Sequence, residues 1–134
     1  MNHLHAVIKS IETEDHISLV FLETGGISFS TLVIDTPATA AYLQEGKEVV
    51  LVFKETAMSI AKNLVGGLSI RNRLPASVTA VKKGKILTAV SLDCSGNPLT
   101  AIITTRSANE LAIAVGDLVE GLVKTNDISL MQKE

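Results

Sequence analysis

The chain has 134 residues, 46% of them hydrophobic but only 3% aromatic, with no tryptophan and a formal net charge of −2. Such a charge makes no field that would draw nucleic acid or an anionic membrane, and a single cysteine, Cys94, excludes an intramolecular disulfide framework. The opening Met1-Asn2-His3-Leu4-His5 has no basic region followed by an apolar run, and no stretch approaches the ~18–20 apolar residues that span a bilayer, so a cytoplasmic protein is expected.

Taken in chain order, alternating aliphatic residues predict a first strand over residues 5–11, with a turn at 12–15. Strands at 17–22 and 28–34 follow, separated by Thr24-Gly25-Gly26. Thr36-Pro37 ahead of Ala38-Thr39-Ala40-Ala41 then predicts an N-cap, a proline at the first helical position and one or two helical turns. Strands at 48–54 and 57–61 close the unit, and residues 62–68, with Gly66-Gly67, form a crossover. The same order recurs: strands at 75–81, 87–92 and 99–104, a short helix capped by Ser107 with Glu110 three residues on, and strands at 118–124 and 127–131.

This recurrence is a gapless internal duplication. Asn2 falls on Asn72 (72 − 2 = 70), and Leu4 on Leu74. At the same offset, Val20-Phe21-Leu22-Glu23 falls on Val90-Ser91-Leu92-Asp93, Gly46 on Gly116, and Lys54 on Lys124. A period that long marks duplicated domains rather than a solenoid, whose units run ~20–50 residues. The expected architecture is all-β: two tandem OB-fold-like five-stranded Greek-key barrels, each with one short helix, over residues 1–64 and 65–134. Units this small bury little on their own, and a positive mean hydropathy leaves apolar surface to cover, so a homo-oligomer is expected.

The second unit opens with Ser69-Ile70-Arg71-Asn72-Arg73-Leu74. It continues with Ala101-Ile102-Ile103-Thr104-Thr105-Arg106-Ser107, then Gly116-Asp117, then Lys124. In this order and spacing it resembles the molbindin (Mop) family, molybdate- and tungstate-binding modules whose hallmark is a Ser-x-Arg-Asn-x-Leu opening. By duplication the whole chain looks like a tandem Mop protein. The resemblance implies a molybdate or tungstate ligand held between subunits, with Ser69, Arg71, Thr104, Ser107 and Lys124 at the matching positions, and Lys54 and Asn72 as weaker candidates. It also implies a trimer of two-domain chains. A tetrahedral dianion is an acceptor only, so hydroxyls, free backbone N–H groups and one or two cations are the donors it requires.

The first unit departs from the pattern. Met1 stands where Arg71 stands, so the serine matching Ser69 would precede it; Ile34 replaces Thr104, Pro37 replaces Ser107, and Asp35 adds a carboxylate that repels a dianion. Lys54 is retained, but the other losses suggest a structural half with a degenerate site.

Other constellations are poorer. His3 and His5 share a strand face, but no acidic or cysteine partner recurs at ligand spacing, so no metal site is expected. Cys94 adjoins the turn Ser95-Gly96-Asn97-Pro98 and reads as an incidental thiol. No nucleophile–base pair or carboxylate dyad can be assembled, which argues against an enzyme and leaves no catalytic residue to name. The alternative is an OB-fold module that binds nucleic acid or a protein. Nucleic acid would need stacking aromatics in a basic groove, and Tyr42, Phe21, Phe29 and Phe53 are the only aromatics.

Overall fold

Period-two alternation decides which side of each strand faces inward. Along β1 (Asn2–Glu14), Asn2, Leu4, Ala6 and Ile8 are buried while His3 and His5 face out. The computed structural model describes residues 1–133. In it, β1 is followed by β2 (Ile17–Thr24), β3 (Ile27–Val33), β4 (Glu48–Phe53) and β5 (Ser59–Ala61). The second repeat supplies β6 (Asn72–Lys83), β7 (Leu87–Cys94), β8 (Asn97–Thr104), a helix α1 (Thr105–Glu110), β9 (Leu118–Val123) and β10 (Ser129–Gln132). All ten strands fall where the periodicity predicts them, and both opening strands begin three residues earlier than predicted.

Both long opening strands carry a β-bulge at equivalent positions, between Ile8 and Ser10 and between Val78 and Ala80. Each strand pairs with the fourth strand of its repeat before the bulge and mainly with the second strand after it. The bulge supplies the bend that this change of partner requires. The β2–β3 and β7–β8 hairpins turn through Gly25-Gly26 and Ser95-Gly96, with φ of 53° and 80°, and 50° and 87°. Positive φ at both central residues is the type I′ geometry that matches strand twist.

The last strand of each repeat does not stay at home. The sheets run β10-β4-β1-β2-β3 and β5-β9-β6-β7-β8, so each five-stranded sheet takes its outer strand from the other repeat. Ser129 pairs with Val52, and at the equivalent place Ser59 pairs with Leu122. A single 3-10 turn, Glu55–Ala57 or Thr125–Asp127, carries the chain across. Met58 and Ile128 anchor the exchanged segments in the core. Gly121 makes room for Met58: a Cβ there would lie 3.1 Å from the Met58 sulfur.

Two side chains pin the repeats together. Asn72 accepts from the Ser30 N–H at 2.7 Å and donates to the Ser30 carbonyl at 2.9 Å. Asn2 makes the same pair of bonds to Thr100, both at 2.8 Å. These locks obey the repeat offset on both sides (72 − 2 = 100 − 30 = 70), so the contact between repeats is pseudo-twofold.

Both helix predictions need correction. After β3 there is no helix: the Thr36 carbonyl accepts from the Thr39 and Ala40 N–H groups, closing one turn. The Thr39 hydroxyl then folds back on the Thr36 backbone and competes with helix propagation. In the second repeat the helix starts earlier than predicted. Thr104, not Ser107, is the N-cap; its Oγ1 accepts from the Ser107 N–H at 3.1 Å. No helix among the described residues is long and apolar enough to cross a membrane.

Candidate functional site

Arg71 is the free one of two arginines that flank the Asn72 lock. Arg73 forms a two-pronged ion pair with Glu120, its Nε at 2.7 Å and its Nη2 at 2.6 Å from the carboxylate oxygens. That pairing holds the Glu120 carboxyl below its usual range. Arg71 is exposed, and among the described residues no carboxylate pairs with it or with Lys124.

Arg71 faces two adjoining clefts. The first, of about 470 Å³, has Leu19, Phe21 and the 28–30 segment of β3 as its first-repeat wall, with Ser69, Arg71, Asn72 and Thr125 opposite. The second, of about 280 Å³, is lined by Ser69, Ile70, Arg71, Lys124, Thr125 and Asn126. No carboxylate lines either cleft. In the second cleft two cations, Arg71 and Lys124, and two hydroxyls, Ser69 and Thr125, without an acid form an environment for an anion.

Three of the expected site residues, Ser69, Arg71 and Lys124, are therefore brought together. Thr104 and Ser107 are not with them. Their hydroxyls bond to each other at 2.8 Å beside a separate cleft of about 300 Å³ lined by Lys85, Ile86, Thr104 and Arg106. Asn72 borders the first cleft, but it is fully buried and its amide is engaged by Ser30, so it holds the wall rather than offering a free group. Lys54 sits at the equivalent of Lys124 with Glu55 next to it, where the second repeat has Thr125; that acid lies 2.9 Å from the Met1 ammonium.

Sequence reasoning passed over Thr125 and the Phe21–Phe29 wall. Thr125 is a turn residue with no motif around it, and the wall belongs to the other repeat. The Gly116-Asp117 pair proves to be scaffold. The Asp117 carboxylate accepts from the Ala114 N–H at 2.8 Å and from the Lys62 ammonium at 3.0 Å, and these donors hold its carboxyl below the usual range. Lys62 also donates to the Leu111 and Ala112 carbonyls at the end of α1, tying the crossover to the second repeat. Cys94 is buried, and desolvation raises its thiol pKa, as befits an unreactive core residue.

A TOBE domain model matches residues 68–130. Molybdenum-pterin-binding protein 1 of Clostridium pasteurianum is 34% identical over 65 residues, which is 48% of this chain and 96% of that protein. This chain belongs to the Mop (molbindin) family. It is a tandem Mop protein, and the molybdenum import ATP-binding protein ModC of Brucella abortus (strain 2308) is 35% identical to it over 112 residues, 83% of this chain. The tandem Mop chain spans only 29% of the length of that relative. In three dimensions it resembles ModG, described as a cytoplasmic molybdate-binding protein and solved with molybdate bound. The TM-score is 0.92 at 23% identity, covering 98% of this chain and 96% of ModG. At that identity the likeness establishes the shared two-unit β fold.

Proposed function

We propose that this tandem Mop protein binds molybdate or tungstate reversibly, without chemistry, and serves intracellular molybdenum storage or homeostasis in the cytoplasm. The observation that carries this reading is the meeting of Ser69, Arg71 and Lys124 at two adjoining clefts whose walls contain no acid. Hydroxyls and cations are the donors a tetrahedral dianion needs, and the absence of a lining carboxylate spares it repulsion. Thr104 and Ser107 lie at a separate cleft of the chain, so in this reading they complete the site from a neighbouring copy, within a trimer of two-domain chains. The first repeat acts as a structural half. It has Met1 for Arg71, Ile34 for Thr104, Pro37 for Ser107 and Glu55 for Thr125.

Calorimetric titration of the whole chain with molybdate, tungstate and sulfate tests the reading. Arg71→Ala and Lys124→Ala each remove a charged donor, worth about 1.5–3 kcal/mol, and weaken molybdate roughly ten- to hundredfold, while Lys54→Ala leaves it unchanged. Sulfate, being smaller, leaves hydroxyl donors out of reach and binds more weakly. Equal affinity of both alanine variants and the unaltered chain for molybdate would overturn the assignment.

A further inference from the structure

The two repeats share a backbone plan but carry opposite charge at one equivalent corner. In the first repeat the β1–β2 turn and the end of β3 meet, since Glu14 pairs with Ile17 and Ser18 with Val33. That corner bears Glu12, Glu14, Asp15 and Asp35, the first three exposed and Asp35 half-buried. In the second repeat Leu87 pairs with Thr104, and the Thr105 N–H donates to the Ile86 carbonyl at 2.8 Å. The corner so formed bears Lys82, Lys83, Lys85 and Arg106, all exposed. At the offset of 70, Glu12 becomes Lys82 and Asp15 becomes Lys85.

Each corner also exposes aliphatic side chains. Ile17 and Ile34 are 45% and 86% exposed at the acidic corner, and Ile86 and Leu87 are 73% and 54% exposed at the basic one. No ion pair among the described residues joins the two corners within the chain. The opposite charges are therefore left for another molecule.

From this complementarity we infer that the acidic corner of one copy docks the basic corner of the next, so that copies associate head-to-tail. Pairing like corners would oppose four charges of one sign, whereas unlike corners match, with the aliphatic pairs meeting inside a charged rim. A contact between two different patches closes into a ring when the rotation permits. The inference rests on the oligomer proposed above and specifies its surfaces and polarity. It also links to the cleft: Leu19 and Phe21, on the cleft wall, lie two and four residues beyond Ile17 on β2, about 7–13 Å along the strand. A basic corner seated at Ile17 brings its Thr104 and Ser107 toward the neighbour's Ser69 and Arg71.

Sedimentation equilibrium on the full chain without molybdate tests this with two triple variants, Glu12→Lys/Glu14→Lys/Asp15→Lys and Lys82→Glu/Lys83→Glu/Lys85→Glu. At concentrations where the unaltered chain assembles, each triple variant alone is expected to sediment as a monomer. The chain carrying all six reversals is expected to regain the assembled mass. Retention of the assembled mass by either triple variant, or a six-reversal chain that stays monomeric, overturns the inference. Should a variant fail to fold by circular dichroism, a salt titration of the unaltered chain decides: its mass falls as the Debye length shrinks toward ~3 Å at 1 M salt, and an unchanged mass counts against docking by charge. An oligomer indifferent to all of these removes the head-to-tail inference alone; a monomeric unaltered chain removes the oligomer too. Loss of molybdate binding in the calorimetry bears only on the oxyanion reading.

Discussion

Replacing Asn72 with alanine tests how the two repeats are held together. The side chain is fully buried, and its two hydrogen bonds, at 2.7 and 2.9 Å, satisfy both backbone polar groups of Ser30 on their outward side. Alanine removes both bonds and strands a buried donor and a buried acceptor. Each stranded group costs about 1–3 kcal/mol, its lost bond included, so the two together cost about 2–6 kcal/mol, a large fraction of a typical 5–15 kcal/mol stability. For a chain of this size that lowers Tm by about 8–24 °C. Asn2→Ala breaks the equivalent bonds to Thr100, but these are only partly buried, so water replaces them in part and the loss is about 1–2 kcal/mol. Urea unfolding with a fitted m-value, alongside calorimetric melting, measures both. An Asn72→Ala chain within about 0.5 kcal/mol of the unaltered protein at equal m-value would refute the idea that this amide locks the repeats.

Three further outcomes follow from the structure. Gly121→Val thrusts a side chain toward the Met58 sulfur, 3.1 Å from the position of a Cβ; overpacking of this kind costs about 1–3 kcal/mol, and adding Met58→Ala should recover part of the loss in urea unfolding. The Asp117 carboxyl is held low by the Ala114 N–H and the Lys62 ammonium, so its contribution is full above the ordinary aspartate value and drains away as pH falls through its lowered folded value. Asp117→Asn therefore lowers stability at neutral pH and flattens the decline below about pH 4; an unchanged acid limb in urea midpoints between pH 6 and 2.5 contradicts this. Saturating molybdate, at a hundredfold excess over Kd, should stabilise the fold by ~2.7 kcal/mol, read as a rise in Tm that Arg71→Ala diminishes.

The candidate site was legible only through the family motif, because taken singly each of its residues reads as a helix cap or a solvated charge in a chain with 12 Lys and Arg. Of the five positions that the motif singled out, the two clefts contain Ser69, Arg71 and Lys124 and leave out Thr104 and Ser107. Choosing Arg71 over Arg73 needed the motif at the sequence level; in space the reason is that Glu120, diagonally across on β9 where it pairs with Pro75, neutralises Arg73. The place of Asn72 was not legible. Its partner is a backbone group 42 residues away on the other repeat, and main-chain donors leave no mark on residue type. Ser107 looked like a helix cap since Glu110 follows at the right spacing, yet Thr104 took that role at the end of β8, where its backbone was already extended.

Strand positions, the duplication and the unequal chemistry of the two halves are local properties, written in alternation, offset and side-chain identity. The sequence alone determines these. Which sheet receives the final strands is a different matter. Ser59–Ala61 is only three residues long and Ser129–Gln132 only four, too short to select a partner by pattern. Their destinations are decided by the 3-10 turns that lead the chain away from its own hairpin, and by the core sites into which Met58 and Ile128 fit. Only the tertiary structure could settle that exchange, because burial of those side chains depends on surfaces that form when the two repeats meet.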